Sequence, residues 1–288
     1  MLRLAVALLA LLCAPALAET QKVELGGRSY LVDLPAQTEG APMILVLHGG
    51  GGNPAQIARN SGFSRPANAQ GYAAIYPAGS GYTRLLTWNG GYCCGYAARA
   101  GIDDIAFLDR VIADAARRFG LDPTHVYITG MSNGALLAEA YAAARPRAVR
   151  AAAGVSGTLD LASFPVRGSV PLLHIHGTAD THVPFGGGRG SESLTDTNFT
   201  AVNDVIAAFR RANGPGLVET TRVIDPAEDG LRTVETTWSK GGRPHVRLLA
   251  VEGGGHVWPG GRRAARQGGG TRDIAANEEI LRFFSEHR

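Results

Sequence analysis

Short runs of almost uninterrupted apolar residues recur along the chain, at residues 43–47, 72–76, 126–129, 151–155 and 172–176. Alternating apolar and polar positions would indicate strands with one face in water, whereas continuous apolarity indicates strands covered on both faces. The pattern therefore predicts a central sheet whose strands run mostly parallel.

Between these runs, apolar residues recur at the spacing of a helix. Residues 102–119 predict a helix that begins near Asp103 and Asp104, where the helix dipole favours negative charge. Further helices are predicted from the turn after residue 129 through residue 144, over 198–211 and over 273–286. Strands that alternate with helices predict an α/β fold with helices on both faces of the sheet.

Hairpin signals flank this alternating region. Strands near residues 21–25 and 29–34 enclose Gly26 and Gly27, which predicts an N-terminal hairpin. Residues 218–251 predict three strands, separated by residues 225–230 and 240–244.

Residues 1–18 have the composition of a secretory signal peptide. The basic residue Arg3 precedes an apolar run over residues 4–12, and Ala16 and Ala18 supply the small residues at −3 and −1. We expect cleavage after Ala18 and export to the periplasm or the medium. A membrane anchor is the alternative, but the apolar run is too short to span a bilayer comfortably.

The remaining residues, 19–288, predict one catalytic domain, because no linker, shift of composition or internal repeat divides them. The net charge of the full chain is only +3. Arg262, Arg263 and Arg266 form the one basic patch of note, and we interpret it as a solvated loop. We therefore expect no nucleic-acid partner and no membrane span, and the sequence leaves the oligomeric state open.

Ser132 is the candidate nucleophile. It stands in Gly130-Met131-Ser132-Asn133-Gly134, which matches G-x-S-x-G between a predicted strand and a predicted helix. In that context a sharp, strained turn lifts the hydroxyl above the sheet edge, and glycine on both sides allows the backbone to approach closely. A plain tight turn is the alternative.

His256 is the candidate base. It follows the last predicted strand, and loops after the carboxyl ends of strands are where α/β sheets place their sites. His125 precedes a strand, His245 falls in a predicted hairpin loop and His287 lies in the tail. His174 and His176 share one strand face, where a structural role is favoured over a metal site with Asp180.

Asp180 is the candidate acid, on the loop after the strand at residues 172–176. A carboxylate fixes the tautomer of the base and stabilises its charged form. The order Ser132, Asp180, His256 is that of α/β-hydrolases. Asp160 and Asp196 are rival candidates, Asp160 because it follows the strand after the nucleophile.

The glycine-rich segment at residues 47–53, LHGGGGN, is the candidate oxyanion loop. Its position after the first buried strand matches that of the oxyanion loop in lipases and esterases. We expect the N–H groups of Gly50 and Asn133 to form the oxyanion hole. A phosphate-binding loop is disfavoured, because G-x-G-x-x-G and a following Lys-Ser/Thr are both missing.

Cys93 and Cys94 are the cysteines that remain after removal of the signal peptide. Export would place them where thiols oxidise. They could bond to each other, pair between molecules or stay free, and we predict a vicinal disulfide.

Seven segments resemble, in order, the secreted esterases known as polyhydroxybutyrate depolymerases and feruloyl esterases. They are LHGGGGN at 47–53, WNGGYCCG at 88–95, DDIAFL at 103–108, YITGMSNGA at 127–135, HGTADTHVP at 176–184, GGGHVWPG at 253–260 and DIAANEEILRFF at 273–284.

The resemblance implies an α/β-hydrolase fold and the triad Ser132, Asp180 and His256. We expect no cofactor and no metal. The resemblance also implies substrate-binding roles for Trp88 and Trp258, and an ester of a hydroxyalkanoic or aromatic acid as substrate. Since no linker and separate binding domain are seen, we expect soluble oligomers or small esters rather than solid polyester. A serine peptidase and a non-catalytic binding protein on the same fold are the competing hypotheses.

Overall fold

The computed structural model describes residues 20–262, 264 and 270–288. The predicted signal peptide lies outside the described residues, as do Arg263 and Arg266 of the basic patch. No helix within the described residues is long and apolar enough to cross a bilayer.

The described part of the chain contains ten strands, and they form one sheet in the order β1-β2-β4-β3-β5-β6-β7-β10-β9-β8. The six central strands, β4, β3, β5, β6, β7 and β10 in sheet order, run parallel to one another. The strands β1 and β2 at one edge, and β9 and β8 at the other, pair antiparallel. Both the mostly parallel sheet and the N-terminal hairpin are thus confirmed. The bounds are β1 (Gln21–Leu25), β2 (Arg28–Asp33), β3 (Met43–Leu47), β4 (Ala73–Pro77), β5 (Val126–Met131), β6 (Ala151–Val155), β7 (Leu172–Gly177), β8 (Val218–Ile224), β9 (Arg232–Lys240) and β10 (Arg243–Glu252).

Four of the helices match the predicted ones to within a few residues. They are α4 (Asp104–Phe119), α5 (Asn133–Ala144), α6 (Val202–Ala212) and α7 (Ala276–Ser285). Three shorter helices were not predicted: α1 (Pro54–Ser61), α2 (Ser64–Ala69) and α3 (Gly95–Arg99). The side chain of Asn53 caps α1 by accepting from the Gln56 N–H, and Pro54 occupies the first turn, so a start signal was present in the sequence.

Apolar side chains cover both faces of the sheet. On one face, α4, α5 and α6 bury residues such as Phe107, Leu137 and Phe209. On the other face, α1, α2 and α7 do the same with residues such as Ile57 and Phe284. The continuous apolar runs are explained by this double coverage, and the α/β architecture with helices on both faces is confirmed.

The candidate site residues lie together at one edge of the sheet, where the parallel strands end. Ser132 follows β5, Asp180 follows β7, His256 follows β10, and the glycine-rich loop follows β3. These strands are parallel, so their carboxyl ends meet at the same edge. The expectation that His245 lies in a hairpin loop is wrong: β10 begins at Arg243, so His245 lies within that strand.

Candidate active site

Ser132 occupies a sharp turn between β5 and α5. Its backbone angles are φ 55° and ψ −125°, a conformation that costs free energy for a residue with a side chain. A Cβ on Gly130 would overlap the carbonyl of Gly134, and a Cβ on Gly134 would overlap the carbonyls of Leu47 and His48. The two glycines therefore let the turn pack against the end of β3, as the G-x-S-x-G pattern predicts.

Asp180 and His256 form a hydrogen-bonded pair. The distance from Asp180 Oδ2 to His256 Nδ1 is 2.8 Å, and the carboxylate side chain is fully buried. The other oxygen, Oδ1, accepts the backbone N–H groups of His182 and Val183, each at 2.9 Å. Burial raises the pKa of Asp180, but hydrogen bonds with His176 and His256 outweigh it and hold this pKa below its ordinary value. Asp180 is consequently ionised at neutral pH, and an oriented carboxylate faces His256.

The rival carboxylates are engaged elsewhere. Asp160 Oδ2 accepts the N–H of Tyr92 at 2.9 Å and the hydroxyl of Ser163 at 2.6 Å. Asp196 is exposed and pairs with Arg189 at 2.6 Å. Neither contacts a histidine among the described residues, so Asp180 has the better geometry for the acid.

Ser132 and His256 line the same cavity, which has a volume of about 570 Å³. The glycine-rich loop also lines this cavity, and a Cβ on Gly49 would lie only 3.4 Å from Ser132 Cβ. The candidate nucleophile, the candidate base and the candidate oxyanion loop thus line one cavity.

Two N–H groups of the glycine-rich loop make hydrogen bonds that hold the loop in shape. Gly51 N–H donates to the Leu86 carbonyl at 2.9 Å, and Gly52 N–H donates to the Gly49 carbonyl at 3.0 Å. The N–H groups of Gly50 and Asn133 meet no protein acceptor among the described residues. A Cβ on Gly50 would be 3.6 Å from Asn133 Cβ, so the two residues are neighbours beside Ser132. This arrangement suits an oxyanion hole.

Trp88 does not line the cavity, contrary to the expectation of a substrate-binding role. It is completely buried, and its indole N–H donates to the His48 carbonyl at 2.9 Å. Its backbone exchanges two hydrogen bonds with the Asn133 side chain, at 2.7 and 2.9 Å. Trp88 therefore links the glycine-rich loop to the start of α5, and it supports both oxyanion candidates from outside the cavity.

Trp258 lies where the sequence places it, in the wall of the cavity. Its indole N–H donates to Asn277 at 2.9 Å, and its ring packs edge-on against Phe63. The polar end of this side chain is thereby satisfied, and its apolar ring is available to the cavity.

Cys93 and Cys94 are adjacent residues at the margin of the cavity. Cys93 is buried in a small cluster with Leu136, Val183 and Phe199, and Cys94 lines the cavity. A bond between their sulfurs would hold this part of the wall in place.

Two histidines that the sequence analysis did not select also belong to the site. His182 lines the cavity and stacks on His256, with ring centroids 4.7 Å apart. His48 accepts the Gly79 N–H at 3.0 Å, and burial lowers its pKa to about 4, so its ring is neutral at physiological pH. Both stand in segments that the sequence analysis quoted, 47–53 and 176–184, but their contacts with Gly79 and His256 link segments that are distant in sequence.

The potential ligand atoms of Asp180, His182 and His256 lie within 4.8 Å of one another. Asp180 Oδ1 already accepts the backbone N–H groups of His182 and Val183, and Asp180 Oδ2 already contacts His256 Nδ1. A metal ion would have to replace those hydrogen bonds, so the geometry favours an acid–base pair.

Comparison with known proteins identifies the family of the chain. The family described as Esterase PHB depolymerase matches residues 28–183. NocK of Nocardia uniformis subsp. tsuyamanensis, whose name classes it with the esterases, is 31% identical over 87% of this chain and 76% of its own length. Feruloyl esterase C of Emericella nidulans is 26% identical over 80% of this chain and 77% of its own.

Among solved structures, an acetyl xylan esterase from Aspergillus awamori superposes with a TM-score of 0.64. The alignment covers 93% of this chain and 100% of that one at 15% identity, a likeness that concerns the fold alone. The α/β-hydrolase fold is thus confirmed. Together with the matched region, which includes Ser132 and Asp180, these relatives identify the chain as a carboxylic ester hydrolase that belongs to the Esterase PHB depolymerase family.

Proposed function

We propose that the protein hydrolyses carboxylic esters through an acyl-enzyme, with Ser132 as nucleophile, His256 as base and Asp180 as acid. The observation that carries the proposal is the 2.8 Å contact between Asp180 Oδ2 and His256 Nδ1, behind a cavity that Ser132 also lines. Since Nδ1 donates to the carboxylate, Nε2 is left without a proton and can accept one from the serine hydroxyl.

In the first half-reaction, Ser132 Oγ attacks the ester carbonyl while its proton moves to His256 Nε2. The negative charge that develops on the carbonyl oxygen is stabilised by the N–H groups of Gly50 and Asn133. Collapse of the tetrahedral intermediate breaks the bond to the alcohol, which takes the proton from His256 and leaves. Water then repeats the sequence on the acyl-enzyme and releases the acid.

The cavity supports a small acyl group as substrate. Its volume of about 570 Å³ is that of a site for a single small ligand, and its wall includes Ile57, Leu136, Phe199 and Trp258. We propose hydroxyalkanoate oligomers, feruloyl esters or related small esters, in line with the family and with the feruloyl esterases among its relatives. No cofactor enters this chemistry.

We further propose that residues 1–18 direct export, that residues 19–288 form one catalytic domain, and that Cys93 and Cys94 form a disulfide in the exported protein. The composition of the N-terminus supports the first point. The adjacent sulfurs support the last, because an oxidising compartment favours the bond.

Substitution Ser132→Ala tests the proposal. We expect loss of nearly all turnover of p-nitrophenyl acetate and butyrate with an unchanged melting temperature, because the hydroxyl faces the cavity. Ser285→Ala, an exposed position in α7, is the matched control and should retain full activity. A serine-reactive phosphonate should add its mass at Ser132 in the native enzyme. Turnover close to that of the native enzyme by Ser132→Ala would refute the assignment, and cleavage of a peptide panel in preference to esters would favour a peptidase.

A further inference from the structure

Three titratable side chains lie behind Asp180 and take no part in the proposed mechanism. Glu139 is in α5, the helix that begins after Ser132, and His174 and His176 are in β7, the strand that leads to Asp180. Glu139 and His174 are completely buried, and His176 is 1% exposed. Burial of three such groups is costly unless their polar atoms are paired.

These side chains form a continuous chain of contacts. Glu139 Oε1 lies 2.7 Å from His174 Nδ1, and His174 Nε2 lies 3.1 Å from His176 Nδ1. His176 Nε2 lies 2.8 Å from the Val183 carbonyl and 3.4 Å from Asp180 Oδ2. The chain thus runs from the nucleophile helix to the carboxylate that faces His256.

The room for this chain is provided by Gly154 in β6. A Cβ at that position would overlap Glu139 Oε1. The other carboxylate oxygen, Oε2, is buried and has no partner among the described residues. Among the described residues, the contact of Oε1 with His174 is therefore the one that pairs this buried carboxyl group.

The number of protons in the chain follows from its contacts. Each of the three contacts needs one proton between its two atoms, and the last proton must sit on His176 Nε2, because the Val183 carbonyl only accepts. An ionised Glu139 and two neutral imidazoles supply only two protons. Two lone pairs would then face each other across the 2.7 Å or the 3.1 Å contact.

We infer that Glu139, His174 and His176 form a three-proton chain of zero net charge that positions Asp180, with His176 Nε2–H as the donor at its end. This donor holds the Val183 carbonyl, while the Val183 N–H holds Asp180 Oδ1 at 2.9 Å. His176 Nε2 also lies 3.4 Å from Asp180 Oδ2, the oxygen that His256 Nδ1 contacts. These residues are positioning residues, since none of them lines the cavity.

Matched substitutions at His176 separate positioning from packing. The inference rests on the proposed triad. His176→Gln places an amide N–H close to the position of Nε2, whereas His176→Leu has a similar size and no donor. We expect kcat of His176→Leu to be at least about tenfold below that of His176→Gln, the scale of a small misplacement of a catalytic group, with KM alike in both.

The same pair of changes at Glu139 tests the other end of the chain. The amide of Glu139→Gln can donate to His174 Nδ1 as a protonated carboxyl does, so it should recover the kcat that Glu139→Leu loses. If Glu139 only packs the core, kcat should be higher in Glu139→Leu than in Glu139→Gln, because leucine suits an apolar core better than glutamine. Equal or higher kcat in both leucine variants, with kcat following the melting temperature, would overturn the inference.

A nitrogen NMR measurement on the ¹⁵N-histidine-labelled native enzyme tests the proton count without turnover. We expect a proton on His176 Nε2 and one proton between the two rings. If His174 carries its proton on Nδ1, His176 on Nε2, and none lies between, the inference is wrong even in an active enzyme. If no ester is hydrolysed but the three-proton chain is observed, the proposed function fails and the chain itself stands.

Discussion

The substitution Asp180→Asn should place the wrong tautomer on His256, and the surroundings of Asp180 show why. Oδ1 accepts two backbone N–H groups at 2.9 Å, so the amide oxygen of asparagine must take that position. The amide NH₂ then takes the position of Oδ2 and donates to His256 Nδ1. The imidazole proton is forced to Nε2, the atom that should accept the proton of Ser132.

The size of the effect follows from the cost of the opposite amide orientation. Turning the amide over would restore the productive tautomer but would leave two buried N–H groups without an acceptor, at about 1–3 kcal/mol each. The total of about 2–6 kcal/mol corresponds to a loss of about 30-fold to about 10⁴-fold in kcat. In the unproductive orientation the amide NH₂ would also face the donor at His176 Nε2, 3.4 Å from the position of Oδ2, and this repulsion moves the expected loss toward the lower end of the range.

Steady-state kinetics on p-nitrophenyl butyrate measure this loss, with the rate of phosphonate labelling of Ser132 as a second readout. Asp196→Asn is the control, since that carboxylate is exposed and paired with Arg189. A loss in Asp180→Asn smaller than about 30-fold would contradict the reasoning, because two unpaired N–H groups set that lower bound. A large loss in Asp160→Asn with none in Asp180→Asn would transfer the acid role to Asp160.

Two further predictions concern pH and redox state. In acid, kcat/KM should fall, because an imidazolium at position 256 cannot accept the proton of Ser132. From pH 5 to 8, Asp180, whose pKa is lowered, stays ionised and His48, whose pKa is lowered to about 4, stays neutral, so neither group should add a second step to the profile. A flat pH profile would contradict the role of His256. Reduction of the Cys93–Cys94 bond should change KM or acyl selectivity more than the melting temperature, because a bond between neighbours closes almost no loop whereas Cys94 lines the cavity. Mass spectrometry of the alkylated, unreduced protein would disprove the bond if both thiols were found modified.

The sequence predicted the elements that have a local signal. A parallel strand covered on both faces must be apolar throughout, so the runs that became β3, β5, β6 and β7 could be recognised without tertiary information. The turn at Ser132 carries its own steric requirement in Gly130 and Gly134, and both are needed for the observed close approach. The helices α1, α2 and α3 are too short to show a periodic pattern, so they were missed.

Roles that depend on contacts between distant segments could not be predicted in the same way. The position of Trp88 in a family motif predicts that it lies near the site, but it does not indicate whether the side chain lines the cavity. Its hydrogen bonds to His48 and Asn133 span 40 and 45 residues, and they hold it against the glycine-rich loop outside the cavity. The pairing of His174 with Glu139 spans 35 residues, so the sequence indicated a structural role for His174 and not the partner that gives it one.

The same contacts explain how a strained nucleophile turn can persist in this fold. The unfavourable backbone of Ser132 must be over-determined by its surroundings. Asn133 is held by two hydrogen bonds to Trp88, and Gly134 is packed against the end of β3. Further along the same helix, Glu139 contacts the strand that carries Asp180. One helix therefore connects the nucleophile, an oxyanion donor and the support of the acid, so a change that displaces α5 should impair all three together, whereas a change at Trp258 should affect only the cavity wall.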